Sequence, residues 1–230
     1  MKEAELFLDY VDDWISKLSA QAANAFFSKP EEIAVLSVDV TNAFCCKGNL
    51  ASERAASIIQ PITKLLALAW EKGVRNFVLL HDCHSPEAEE FNAFAPHAIR
   101  GSDECEAVDE IKALPFYKQM TIFEKNSIDP AQNTGLDEWI AQHPQVKTYV
   151  VVGDCTDLCV YQAAMHLRTY ANARELDWRV LVPANCVETY DLSVADAKAL
   201  GAVPHDGDLL HRIFLYHMAL NAIEVVKEIA

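Results

Sequence analysis

The sequence predicts a single α/β domain in which a parallel β-sheet carries helices on both faces. Three observations support this. Short apolar runs recur along the chain, longer amphipathic patterns separate them, and each run stops at a polar turn. The runs are IAVLSVD (33–39), NFVLLHD (76–82), TYVVVGD (148–154) and WRVLVPA (178–184), with MTIFEK (120–125) as a further strand. Near-continuous apolarity is what a strand needs when neighbours cover both of its faces, and alternation with helices is the signature of βαβ units.

The elements follow in order. Residues 4–28 place Leu6, Phe7, Tyr10, Val11, Trp14, Ile15 and Leu18 at helical spacing among acidic residues, so a leading helix is expected on the outside of the sheet. The pattern over 51–73 closes on Gly73, and that over 157–173 starts after Thr156, a side chain suited to an N-cap. The tail NAIEVVKEI suits helix and strand alike. Repeats and Gly/Pro-rich linkers are absent, so residues 31–230 read as one domain preceded by a helical extension over 1–30.

Composition narrows the function. The 230 residues carry a formal charge of −15 and no basic run, which argues against nucleic acid and anionic membranes as partners. Neither a signal peptide nor an 18-residue apolar span can be drawn, so a soluble cytoplasmic protein is expected. The seven cysteines are odd in number and scattered, which predicts reduced thiols rather than a disulfide framework.

In an open parallel sheet the carboxyl ends of the strands form the working edge. Asp39 closes the first predicted strand, Asp82 and His84 the second and Lys125 the third, while Gly153-Asp154-Cys155-Thr156-Asp157-Leu158-Cys159 turns from the fourth into a helix. Taken singly, an Asp is more often a cap, a Lys solvated and a Cys core. Their convergence on one rim is what suggests a site. Cys159, in the first turn of a helix and near a Lys, is the expected nucleophile, since dipole and charge both favour a thiolate. The backbone N–H groups of Cys155 and Cys159 could receive a developing oxyanion. No histidine is placed to serve as the base: His166, His205, His211 and His217 read as surface or core residues, which leaves Asp39 to carry the proton with Lys125 between the charges. Asp82, His84, Glu90 and His97 fall within sixteen residues and form a donor set suited to Zn, Mn or Fe, against the plainer reading of a solvated acidic loop.

These segments resemble the isochorismatase-like cysteine hydrolases, and among them the nicotinamidases. The resemblance rests on VDVTNAF (38–44), HDCHSPEAEEFNAFAPHAIRGS (81–102), IFEK (122–125), GDCTDLCV (153–160) and VETYDLS (187–193). It implies Asp39, Lys125 and Cys159 as a catalytic triad, and a cis peptide between Asp154 and Cys155. It implies an ion that holds a pyridine nitrogen, a ring sandwiched by Phe44 and Phe94, a small amide such as nicotinamide as substrate, and a homo-oligomer. Glu90 stands where many nicotinamidases carry histidine, with Glu89 the alternative ligand, and Phe94 replaces a familiar tryptophan. Three rival readings stand beside this one: another small amide, ureido or carbamoyl substrate; a metal-bound hydroxide as attacking group; and a non-catalytic subunit on the same fold.

Overall fold

The computed structural model describes residues 2–230. Its seven strands are β1 (Ile33–Val38), β2 (Asn76–Asp82), β3 (Thr121–Lys125), β4 (Thr148–Asp154), β5 (Arg179–Pro183), β6 (Val187–Glu188) and β7 (Glu224–Val226). They form one sheet in the order β3-β2-β1-β4-β5-β7, with β6 paired to β4, and every pairing is parallel. The expected fold class is therefore found, and the ambiguous tail is a short edge strand. Among the described residues, no helix is long and apolar enough to cross a membrane.

The apolar runs are explained by burial on two sides. Ile33 and Val35 of β1 join Phe77, Leu79, Val150 and Val152 on one face of the sheet, against α5 (Ile59–Glu71) with its Ile62, Leu65, Leu66 and Ala69. Ala34, Leu36 and Val38 point the other way with Val78, Leu80 and Val151. There they meet α7 (Leu136–Gln142), α8 (Cys159–Ala173) and α10 (Gly207–Leu220). Each aliphatic side chain so buried contributes about 1.5–3 kcal/mol, so the central strands are the most strongly stabilised part of the chain. At the edge, β3 alternates buried and open positions, with Ile122 exposed and Glu124 near Arg100.

Two helical expectations need correction. The predicted helix over 4–28 is broken into α1 (Lys2–Ser16) and α2 (Ala23–Phe26). Between them Gln21 is extended, pairing with the C-terminal segment through its amide to Glu228 O and its carbonyl to the Ala230 amide, which a helix would forbid. Nor does α1 lie on the sheet. It packs on α10, where Phe7, Tyr10 and Trp14 surround Tyr216 edge-on and Asp12 pairs with Arg212. The pattern over 51–73 likewise divides, into α4 (Glu53–Ser57) and α5, following α3 (Asn42–Cys45). Pro61 sits in the first turn of α5, where its missing N–H is harmless but its ring would collide with a carbonyl one turn back in a continuous helix. The remaining helices are α6 (Asp109–Lys112), beneath the same face as α5, and α9 (Val194–Leu200).

One glycine is required by the sheet itself. Gly153 faces Val38 across the β1–β4 pairing with φ near +121°, and a Cβ there would lie 1.9 Å from the Val38 carbonyl oxygen. Gly153→Ala is expected to destabilise the domain by about 3 kcal/mol or more, lowering Tm by roughly 10 °C or preventing soluble expression. A variant melting within about 2 °C of the wild type would show that the strands can separate to accept a methyl group.

Candidate active site

The carboxyl edge of β1, β2, β3 and β4 brings the predicted residues together. Lys125, the last residue of β3, pairs in register with Asp82 at the end of β2 and is almost wholly buried. Its ammonium lies 2.8 Å from Asp39 Oδ2, 2.5 Å from Asp82 Oδ1 and 3.4 Å from Cys159 Sγ. Asp39 follows β1 in the left-handed region, φ 55°, with its own amide bonded to Leu80 O and its Oδ1 accepting from the Asp82 amide at 2.7 Å. Backbone pairing thus aims the carboxylate at the lysine. Oxygen atoms of Asp39 and Asp82 and the Cys159 sulfur all lie within 4.8 Å of one another.

Burial sets the charges. Desolvation, and then the neighbouring Asp82 carboxylate, raise the Asp39 pKa to about 6 against the opposing pull of Lys125. Burial works against the charge of Lys125, yet the Asp39 and Asp82 carboxylates hold its pKa well above the ordinary value. Asp82 is buried too, but Lys125, His84 and His97 keep its carboxyl well below the usual range. At Cys159 burial opposes the thiolate that the sequence favours: it pushes the pKa well up, and the neighbouring Lys125 ammonium works against this.

Beyond Asp82 the loop after β2 gathers a second cluster. Asp82, His84, Glu90 and His97 each offer one donor atom within 4.8 Å of the others. His84 Nε2 lies 3.4 Å from Asp82 Oδ1 and 3.8 Å from Glu90 Oε1, and His97 Nε2 lies 3.5 Å from Asp82 Oδ2. The ring tautomers suit a cation. His84 Nδ1–H donates to Asn126 Oδ1, which also accepts from the Ser85 amide, and His97 Nδ1–H donates to Ala95 O. Both Nε2 lone pairs therefore face inward, and His84 Nε2 is a buried atom without a hydrogen-bond partner. These mixed imidazole and carboxylate donors suit a divalent ion such as zinc. Glu89 points away, accepting from Asn92, so of the two adjacent acids it is Glu90 that enters the cluster. Sequence reasoning missed Asn126, whose only signal was an amide residue directly after Lys125.

Aromatic rings surround His97. Phe44 and Phe94 both stand edge-on to His97, with ring centroids 5.4 and 6.4 Å away. Phe91, which the sequence did not single out, reaches His84 and His97 at 5.4 and 5.7 Å.

The turn from β4 into α8 contains the one cis peptide bond among the described residues, Asp154–Cys155. Thr156 does not cap α8. The helix begins at Cys159 without any side-chain cap, while the Thr156 amide bonds to Glu188 O and its hydroxyl pairs with His211 Nδ1. Among the described residues, no acceptor is paired with the backbone N–H of Cys155 or Cys159. Among the other cysteines, Cys45 faces Asp154 and the Ala55 carbonyl, and burial with that acid pushes its pKa far up.

A buried acid–amine–thiol set at the carboxyl edge of a parallel sheet, beside a ready donor cluster, defines an α/β enzyme with one compact centre. Comparison with known proteins agrees. Residues 33–206 match the isochorismatase domain model. The chain is 29% identical over 220 residues to nicotinamidase 1 of Arabidopsis thaliana, covering 88% of each chain. Its fold is similar to pyrazinamidase/nicotinamidase of Streptococcus mutans, with 20% identity, TM-score 0.66, and 84% and 99% of the two chains covered. It is similar also to a pyrazinamidase of Pyrococcus horikoshii solved in complex with zinc, at 19% identity, TM-score 0.65, and 85% and 99% coverage. The chain belongs to the isochorismatase family and is a hydrolase.

Removing one member of a buried ion cluster leaves the rest uncompensated. Lys125→Met is expected to lower the unfolding free energy by about 3–5 kcal/mol in urea titrations, because Asp39 and Asp82 then face each other without a cation. A loss below about 1 kcal/mol would mean that the carboxylates are already neutralised by other means.

Proposed function

We propose that the chain hydrolyses the carboxamide of nicotinamide to nicotinate and ammonia through a thioester on Cys159. The observation that carries this reading is the Lys125 ammonium held between the Asp39 carboxylate and the Cys159 sulfur. The likeness over most of its length to a plant nicotinamidase supports the choice of substrate.

Asp39 is the base. As substrate displaces water and reaches the sulfur, the Asp39 carboxylate takes the thiol proton, and Lys125 offsets the negative charge that develops on sulfur. The sulfur attacks the carbonyl carbon and the oxygen becomes anionic. In this reading the amides of Cys155 and Cys159, which have no other acceptor among the described residues, receive that charge, a contribution typically worth about 10²–10³ in rate per donor. Asp39 returns its proton to the amide nitrogen, the C–N bond breaks and ammonia leaves. Asp39 then deprotonates a water that attacks the thioester, and the departing sulfur regains a proton as nicotinate forms. A divalent ion held by Asp82, His84, Glu90 and His97 would supply a fixed Lewis-acid partner for the pyridine nitrogen. Phe44 and Phe94 then limit the ring to one slot, so the carboxamide is presented to Cys159 in a single orientation.

Ammonia release from nicotinamide, pyrazinamide and aliphatic amides tests the assignment. The wild type is expected to favour the aromatic amides, and Cys159→Ala to lose about four orders of magnitude or more in kcat. Preference for aliphatic amides would overturn the substrate, and appreciable turnover by Cys159→Ala, or by enzyme alkylated there with iodoacetamide, would overturn the nucleophile. Zinc affinity provides an independent check. Glu90→Ala should weaken it by about tenfold or more while Glu89→Ala leaves it unchanged, as read by competition with a chromophoric chelator. Equal effects of the two substitutions would reject Glu90 as a ligand.

A further inference from the structure

An aspartate just before a helix has a default occupation. Its carboxylate accepts from the N–H two residues on, closing an Asx turn, or caps the first helical turn. Asp157 stands two residues before Cys159, so its nearest local donor is the Cys159 amide, one of the two amides assigned to the oxyanion. Yet α8 has no side-chain cap. The carboxylate is turned away instead and is taken up by residues far along the chain. Thr189 Oγ1 donates to Asp157 Oδ1 at 2.6 Å, and His205 Nε2 lies 2.8 Å from Oδ2. All three side chains are buried.

His205 is mounted rigidly for this task. Its backbone exchanges two hydrogen bonds with Leu192, at 2.8 and 2.9 Å, its Nδ1 lies 2.9 Å from Tyr190 O, and its ring stacks on the Tyr190 ring at 3.9 Å. Histidine in this position is more than a core residue, because backbone, ring face and one nitrogen are fixed so that the other nitrogen meets a carboxylate 48 residues away in sequence. The clamp also keeps Asp157 charged. Burial works against ionisation, but the His205 and Thr189 bonds hold its carboxyl below the usual range. A released Asp157 would thus place a negative charge on the amide that must receive the oxyanion.

We propose that His205 and Thr189 are positioning residues that hold the Asp157 carboxylate off the Cys159 amide and so keep that amide free for the substrate oxyanion. The inference rests on the acyl-transfer reading given above. It explains why the helix after the nucleophile turn is left uncapped although an aspartate lies within reach of its first turn. The bonds are local, but their consequence falls on the transition state, since a ground-state carbonyl needs the amide far less than an oxyanion does.

The test is suppression. His205→Ala should lower kcat for nicotinamide by about 100-fold with KM within about threefold of wild type and zinc content unchanged, because only a transition-state contact is lost. Adding Asp157→Ala to His205→Ala should restore kcat at least about tenfold, since the intruding carboxylate is then gone. Thr189→Val, which frees the other oxygen, should act in the same direction as His205→Ala if the latter folds poorly. A purely structural pair predicts no recovery in the double variant. That result, or a His205→Ala kcat within about threefold of wild type, would overturn the proposal. Should the wild type fail to hydrolyse nicotinamide, the functional reading fails while the clamp remains testable by amide hydrogen exchange. The Cys159 N–H should exchange more slowly in His205→Ala than in wild type, because the carboxylate now bonds to it. Faster or unchanged exchange would reject the clamp.

Discussion

The centre depends on one buried ammonium. Lys125 is buried at the carboxyl edge of the sheet, and its charge is tolerable there because Asp39 and Asp82 lie within hydrogen-bond distance. Each partner is in turn fixed by backbone: Asp82 by its register opposite Lys125, Asp39 by the Asp82 amide. A cation of this kind does three things together. It holds two carboxylates close despite their repulsion, it lowers the energy of a thiolate at Cys159, and it forces the four groups into a fixed geometry. The apolar stacking of the central strands is what makes this affordable, for it supplies the rigidity on which ångström-level placement rests.

Asp82 joins the two halves of the centre. One oxygen serves Lys125, the other faces His97, and His84 approaches the first. Any group that draws on Asp82 from the loop side therefore acts on the electrostatics of Asp39 and Cys159 without touching them. The raised Asp39 pKa illustrates this, since the Asp82 charge is the strongest cause after burial itself. The loop cluster and the Asp39–Lys125–Cys159 set are thereby linked through one carboxylate.

Much of this was readable from the sequence because burial on both faces leaves a plain record. Strands β1, β2 and β4 are continuous apolar runs whose ends located Asp39, Asp82 and the turn to Cys159, while Lys125 closes the half-open edge strand β3. What was not readable was decided by partners distant in the chain. The break near Gln21 follows from pairing with the tail, and β7 is only three residues long, too short for any period to show. Glu89 and Glu90 are neighbours in a single turn, and only the direction of each side chain separates them. The influences on the Cys159 thiol are unequally legible for a related reason: position at a helix start is visible in sequence, whereas the depth of burial that works against a thiolate is not.

The segment between β6 and α10 shows why the nucleophile turn cannot be understood from its own residues. Thr156 looks like a cap and Asp157 like an acid that should close the next turn, yet neither does so. Glu188 O takes the Thr156 amide, His211 takes its hydroxyl, and Thr189 and His205 take Asp157. Local preference is overruled at successive positions, and in each case the overruling partner comes from the same stretch, 188–211. The amides of Cys155 and Cys159 are left unpaired as a result, a state that an isolated peptide would abandon at once by capping itself. The proposed cysteine chemistry therefore requires two things from the sequence: residues that react, placed at strand ends, and a later segment that prevents the nearest polar side chains from satisfying the donors the reaction needs.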